Sequence, residues 1–329
     1  MTAVPSPMAF DALPLDSRRV VALPVEPGGE HAPYDVPVHV LTGKAHRPRV
    51  VITAGIHGDE FEGVRACSLL LQALKPDDLQ GTLVILPVAH PPAHAACARV
   101  SPLDSGDLNR SFPDDTNSTP TRRLAAALMA SVVAGADFLI DLHSGGTRTR
   151  FAPMVGYREM PSGGASLAAA VAFGLSWLWA IPDQAGVFTR EAAVRGVPGL
   201  GMEAGGSGGL RPEDVRVLHD GVLRVLRHLG LLPGATLDVV PAGPLSVYGG
   251  DWTLSPATGL WVAYVELGEI VRMGGLLAEI VAPSGETLAS VRAPHDGMVA
   301  AIRTFGVVDE GEWGVMVLAR DGEAEARAA

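Results

Sequence analysis

Two apolar runs of strand length, Arg49-Val-Val-Ile-Thr53 and Asp137-Phe-Leu-Ile-Asp-Leu-His143, lead straight into turns that hold both glycine and metal-capable side chains. The first follows the turn-like Lys44-Ala-His-Arg-Pro48 and stops at Gly55, which frames it as a strand rather than a helix segment. Reactive residues just past strand ends are the arrangement of open α/β sheets, whose chemistry gathers at the carboxyl edge. This pattern restricts the chain to an α/β fold and predicts where its site lies.

His57 and Glu60, in Gly55-Ile-His-Gly-Asp-Glu60, stand three residues apart beyond the first strand and supply half of a catalytic zinc site. Such a site takes three protein ligands and leaves a fourth position for water. His143, at the end of the second run, is the third ligand candidate. Glu203 is the base candidate, because Val197-Pro-Gly-Leu-Gly-Met-Glu203-Ala-Gly-Gly again delivers an acidic group after a short apolar segment. Taken singly each signal is weak. His143 could be a buried histidine satisfied by Asp141 or by a backbone group, and Glu203 could cap a helix beginning in Gly205-Gly-Ser207. The shared strand-end placement is what sets the combination apart.

The motifs Gly55-Ile-His-Gly-Asp-Glu60, Asp107-Leu-Asn-Arg-Ser-Phe-Pro113, Asp141-Leu-His-Ser-Gly145 and Glu203-Ala-Gly-Gly206 together resemble the succinylglutamate desuccinylase/aspartoacylase family of the zinc carboxypeptidase superfamily, in order and approximate spacing over most of the chain. The resemblance implies an α/β fold, with a zinc-carboxypeptidase-like mixed sheet flanked by helices. It implies that His57, Glu60 and His143 bind one Zn2+ per chain and that Glu203 is the general acid/base. It further implies that Asn109 and Arg110 hold a substrate carboxylate, which suits the planar fork of a guanidinium and a neighbouring amide donor. Arg99 resembles the family's upstream arginine, facing the carbonyl oxygen that turns negative during attack. A longer loop than in aspartoacylase-like members, Val100-Ser-Pro-Leu-Asp-Ser-Gly106, separates it from the Asn-Arg pair.

Nucleophilic catalysis is poorly supplied. Cys67 and Cys97 are the only thiols and read as buried structural residues, while Ser144 lacks the Gly-x-Ser-x-Gly elbow. A net charge of −11 argues against nucleic-acid partners. Apolar runs such as Ala165 to Phe173 are shorter than the roughly 18 to 20 residues of a membrane helix. Met1-Thr-Ala-Val-Pro-Ser-Pro7 has no leader pattern, so the expected location is the cytoplasm.

Arg19–Pro24 and Val36–Leu41 read as an antiparallel edge added to the sheet, Gly81–Pro87 as a further strand, and Glu62–Leu74, Arg122–Val133 and Asp214–His228 as helices. His90 and His94 would share a helix face, but Pro91-Pro92 between them predicts a loop near the site.

Beyond Gly234, short strand-like pieces separated by glycine turns predict a small all-β, barrel-sandwich-like domain, giving a zinc hydrolase domain over 1–234 and a β domain over 235–329. Val291–Val299 resembles the turns of lipoyl and biotinyl carriers, yet the absence of lysine after Lys75 excludes carrier activity and leaves a lid or a homo-oligomer contact. His295 in that turn reads as an exposed histidine. Thr147–Arg150 is a candidate specificity segment.

The sequence thus predicts a zinc-dependent amidohydrolase that removes an acetyl- or succinyl-class acyl group from an N-acyl amino acid or related small carboxylate. The alternatives are a zinc carboxypeptidase acting on peptides and a catalytically silent ligand-binding member.

Overall fold

The computed structural model describes residues 8–112, 119–158, 164–234 and 246–320. The expectations for Met1–Pro7, for Pro113 at the end of the second motif and for a boundary after Gly234 lie outside the described residues.

The strand-end reading of the first motif fits: β3 (Arg49–Ala54) ends immediately before the Gly55–Glu60 turn, following β1 (Ser17–Val25) and β2 (Tyr34–Thr42). Helix α1 (Glu62–Ala73), β4 (Thr82–Leu86), α2 (Pro91–Ala95) and α3 (Pro120–Ala127) come next. They are succeeded by β5 (Phe138–His143), β6 (Thr149–Tyr157), α4 (Ala165–Phe173), β7 (Trp177–Ala180), α5 (Phe188–Val194), β8 (Gly199–Gly206) and α6 (Pro212–His228). The C-terminal strands are β9 (Ser246–Leu254), β10 (Gly259–Ala263), β11 (Ile270–Val271), β12 (Leu276–Val281), β13 (Thr287–Arg292), β14 (Gly297–Arg303), β15 (Val307–Val308) and β16 (Trp313–Arg320).

The main sheet runs β1-β2-β4-β3-β5-β8-β6-β7-β9-β16-β14-β11. Its centre is parallel: β3 pairs with β4 and with β5, and β5 with β8. The antiparallel edge expected from Arg19–Leu41 is present as β1 on β2 and β2 on β4. Every residue of β3, β4 and β5 is buried, as befits strands covered on both faces. Alternation sends Val50 and Ile52 into one core with α1, α4 and α6, and Val51 into the opposite core with α3 and α5.

The helix expected over Arg122–Val133 begins earlier, at Pro120 behind the Thr119 cap, and its second half from Leu128 to Val133 widens to a π-helix. A loop was expected at Pro91-Pro92; α2 forms there instead. Both prolines occupy its first turn, where a missing N–H costs nothing, and so they start the helix rather than block it.

The C-terminal segment forms a four-stranded sheet, β13-β12-β10-β15, and also prolongs the main sheet through β9, β16, β14 and β11. β14 pairs directly with β6, Ile302 opposite Arg150. No helix among the described residues is long and apolar enough to cross a membrane.

Candidate metal centre and active-site cavity

Parallel pairing brings three motifs to one edge of the sheet. Ala54 lies opposite Leu142 and His143 opposite Glu203, so the turn after β3, the end of β5 and the middle of β8 are neighbours. The turn is fixed from behind by α2: His90 Nδ1 donates to the Ile56 carbonyl at 3.3 Å and His94 Nδ1 to that of Gly58 at 3.2 Å. At Gly58 an added Cβ would fall 2.0 Å from the Ala93 carbonyl carbon, so only glycine permits this approach.

His57, Glu60 and His143 are all buried, and one ligand atom from each lies within 4.8 Å of the others. Glu60 stands between the rings, with Oε1 2.7 Å from His57 Nδ1 and Oε2 2.9 Å from His143 Nδ1. The opposite ring nitrogens are already engaged, His57 Nε2 with Asp107 Oδ1 at 3.1 Å and His143 Nε2 with Asp141 Oδ2 at 2.7 Å. That leaves both Nδ1 atoms and the Glu60 carboxylate facing one point, a donor set that fits a divalent metal of the zinc type. Burial raises the Glu60 carboxyl, but the two histidines outweigh it and hold it below its ordinary range. Burial likewise lowers His143, and the carboxylates of Asp141 and Glu60 more than reverse this, leaving it well above an ordinary histidine.

Glu203 does not join this cluster. Its Oε2 is buried without a hydrogen-bond partner, and burial, reinforced by the charges of Glu60 and Asp141, raises its carboxyl well above the ordinary value against the pull of His143 and Arg99. It lies in β8 and caps no helix. Arg99 points at the same centre, 3.6 Å from Glu60 Oε1 and 3.2 Å from Asp107 Oδ2, with its guanidinium 5.2 Å above the Trp313 ring. Asn109 is anchored by accepting from the Phe188 amide at 2.9 Å, which leaves its NH2 to donate. Arg110 opens onto the cavity beside it.

The cavity over these groups has a volume near 560 Å3, and all seven residues singled out in the sequence line it. A second, outer cavity shares Arg99, Arg110 and Trp313 and includes Thr147 and Arg148. Arg150, from the same segment, turns away to a 2.9 Å ion pair with Asp214. His295 is in an exposed turn, its Nδ1 donating to the Asp296 carbonyl. Cys67 is buried as expected; Cys97 is exposed, at the rim of the outer cavity.

The pattern of the succinylglutamate desuccinylase/aspartoacylase catalytic domain matches residues 46–229. This chain belongs to the succinylglutamate desuccinylase/aspartoacylase family. It is 32% identical over 289 residues to the N-alpha-acetyl-L-2,4-diaminobutyric acid deacetylase of Halomonas elongata, covering 84% of this chain and 83% of that protein. It superposes on the succinylglutamate desuccinylase/aspartoacylase of Rhodobacter sphaeroides with a TM-score of 0.84 at 28% identity, over 97% and 99% of the two chains. The product-bound ectoine utilization protein EutE (DoeB) of Ruegeria pomeroyi gives 0.83 at 26% identity, over 94% and 98%. As a member of this family the chain is an amide-bond hydrolase.

Several lining residues carried no readable signal in this desuccinylase/aspartoacylase-family sequence. Trp252 and Trp313 close the cavity from the C-terminal segment, stacked with centroids 5.1 Å apart, and Arg158 and Trp179 form its far wall. Asp141 was legible, since residues i and i+2 of a strand share a face.

Proposed function

We propose that this chain is a zinc-dependent deacylase that frees an amino acid, or a related small carboxylate, from an acetyl- or succinyl-class acyl group. The observation that carries the reading is the convergence of two histidine Nδ1 atoms and the Glu60 carboxylate on one point, with the unpartnered oxygen of Glu203 in the same cavity. Bound zinc would be held by His57, Glu60 and His143, one ion per chain, and would supply a water of lowered pKa, near 7, and a polarised amide carbonyl.

The chain's own residues do the rest. Glu203 takes the water's proton on its free oxygen. It keeps that proton until the amide nitrogen departs, and then releases it there. Arg99 places a fixed positive charge beside the centre, where the carbonyl oxygen becomes negative. Asn109 and Arg110 hold the substrate's carboxylate at the cavity's outer side. Trp252 and Trp313 wall the cavity, which favours a small enclosed substrate over an extended peptide. The named activities of the Halomonas and Rhodobacter relatives point to the same substrate class.

The test is metal content together with release of free amine from a panel of N-acetyl, N-succinyl and N-formyl amino acids, with and without chelator. Chelator-sensitive release with about one zinc per chain is the expected result. Zinc without release would move the reading to a peptidase or a silent binder, and absence of metal would overturn it.

A further inference from the structure

Asn109 and Arg110 belong to Leu108–Arg110, a single 3-10 turn rather than a strand. A turn this short is weakly held by its own hydrogen bonds. The segment Gly186–Phe188, at the start of α5, packs along it. The Gly186 carbonyl accepts from the Phe112 amide at 3.2 Å, the Phe188 amide donates to Asn109 Oδ1 at 2.9 Å, and the Phe112 and Phe188 rings stack with centroids 4.3 Å apart. The approach is close. Gly186 has a φ of +89°, and a Cβ there would fall 2.7 Å from the Arg110 carbonyl oxygen. Where this segment sits therefore decides where Asn109 and Arg110 sit.

Behind the segment stands a carboxylate that the proposed chemistry does not use. Glu191, in α5, is 3% exposed, and its Oε1 accepts from the Gly186 amide at 3.2 Å and from Arg190 Nη1 at 2.8 Å. Arg195 Nη1 lies 3.6 Å from Oε2. Arg190 also donates through Nε to Asp183 Oδ1 at 2.8 Å, so one guanidinium spans the loop from Asp183 to Glu191. Phe188 and Ala192, close to Glu191 in α5, lie in the apolar core, where an apolar side chain would pack without the cost of desolvating a charge. What the carboxylate adds is an acceptor for the buried Gly186 amide.

We infer that Glu191 is a positioning residue for substrate binding: by holding Gly186 it sets the segment against which Asn109 and Arg110 are registered, and so aims their donors at the substrate's carboxylate. It touches neither the substrate nor the metal centre. Its influence falls on affinity for the carboxylate rather than on the chemical step, because Glu203 and the metal cluster are held by β8, β5 and the turn after β3 instead. This inference rests on the reading above in which Asn109 and Arg110 hold that carboxylate.

The experiment measures kcat and KM separately for N-acetyl-L-2,4-diaminobutyrate and N-acetyl-L-alanine, each beside the same compound with a carboxamide in place of its α-carboxylate. Wild type is expected to favour the acid by about tenfold or more in kcat/KM, because the amide leaves the guanidinium without its charged partner. Glu191→Ala should raise KM for the acid by about five- to tenfold with kcat within about threefold. The carboxamide's kcat/KM should stay within about twofold, so that the acid-to-amide ratio falls toward one. Glu191→Gln keeps an oxygen acceptor for Gly186 and should restore most of the ratio. Gly186→Ala displaces the same segment without altering Glu191; it should reproduce the raised KM, and it carries the test if Glu191→Ala does not fold. Equal loss on acid and amide, a fall in kcat alone, or an unchanged ratio in the variants would overturn the positioning role and leave the deacylase reading intact. A wild type without preference for the acid would defeat this role together with the Asn109 and Arg110 assignment, and turnover of none of the four would defeat the deacylase reading as well.

Discussion

Asp141 Oδ2 lies 2.7 Å from His143 Nε2, two residues earlier on the same face of β5. The carboxylate is itself fixed, because Thr53 Oγ1 donates to its Oδ1 at 2.7 Å from the neighbouring strand. This arrangement fixes the ring of His143 and keeps a proton on Nε2, so that on metal binding Nδ1 would offer its lone pair to the point it shares with Glu60. Asp141→Asn keeps the shape and removes the charge. It is expected to weaken metal affinity by about 10- to 100-fold with the fold intact. Chelator competition measures this, and an unchanged affinity would show that Asp141 does not orient the ligand.

Glu203→Gln separates acid/base work from metal binding. The side chain stays outside the His57, Glu60 and His143 cluster, so the variant should hold metal as wild type does. Turnover should fall by about 10² to 10⁴-fold, the usual contribution of a positioned acid/base group. His143→Ala should lose the metal itself. Near-normal activity in Glu203→Gln would mean that another group carries the proton.

The site's inner half was legible because it is built from strand ends. An apolar run that stops at Gly55, or at His143-Ser-Gly145, marks a strand end, and parallel pairing then brings the ends together. The outer half was not legible, since Trp313 and Trp252 arrive from beyond Gly234 through antiparallel pairing of β9 with β16, a contact no local pattern encodes. Arg158 was hidden for a different reason. An arginine after a strand reads as solvent-exposed, and only the packing of Pro182 and Thr189 around it shows that it is buried. The proline pair before His94 was misread, because a residue that breaks a helix interior also begins one.

Trp313 holds Arg99 in place. The guanidinium lies 5.2 Å from the ring centroid, and the indole is itself stacked on Trp252. A cation–π contact at a partly exposed site contributes about 0.5–1 kcal/mol. Trp313→Ala is therefore expected to lower kcat/KM by roughly two- to fivefold, from the lost contact with Arg99, with metal content unchanged. Trp313→Phe should recover most of the loss. Steady-state kinetics on the best substrate of the panel checks both, and an Ala variant as active as wild type would show that Glu60 and Asp107 alone position Arg99.

His90 ties stability to pH independently of catalysis. Burial lowers its pKa to about 4, and the nearby charge of His57 adds to this against the hydrogen bond to the Ile56 carbonyl. In the unfolded chain it returns to an ordinary value near 6.5, so between these limits the unfolded state binds the proton more readily. The stability is complete above about pH 6.5 and is lost as the pH falls through 4, by about 3 kcal/mol in all. His90→Asn retains a donor for Ile56 but cannot titrate. Urea unfolding of the metal-free protein, with chelator throughout so that metal loss does not intrude, should show a smaller drop from pH 7 to pH 4.5 in the variant than in wild type. Equal drops would mean that His90 takes up its proton in the folded state without cost.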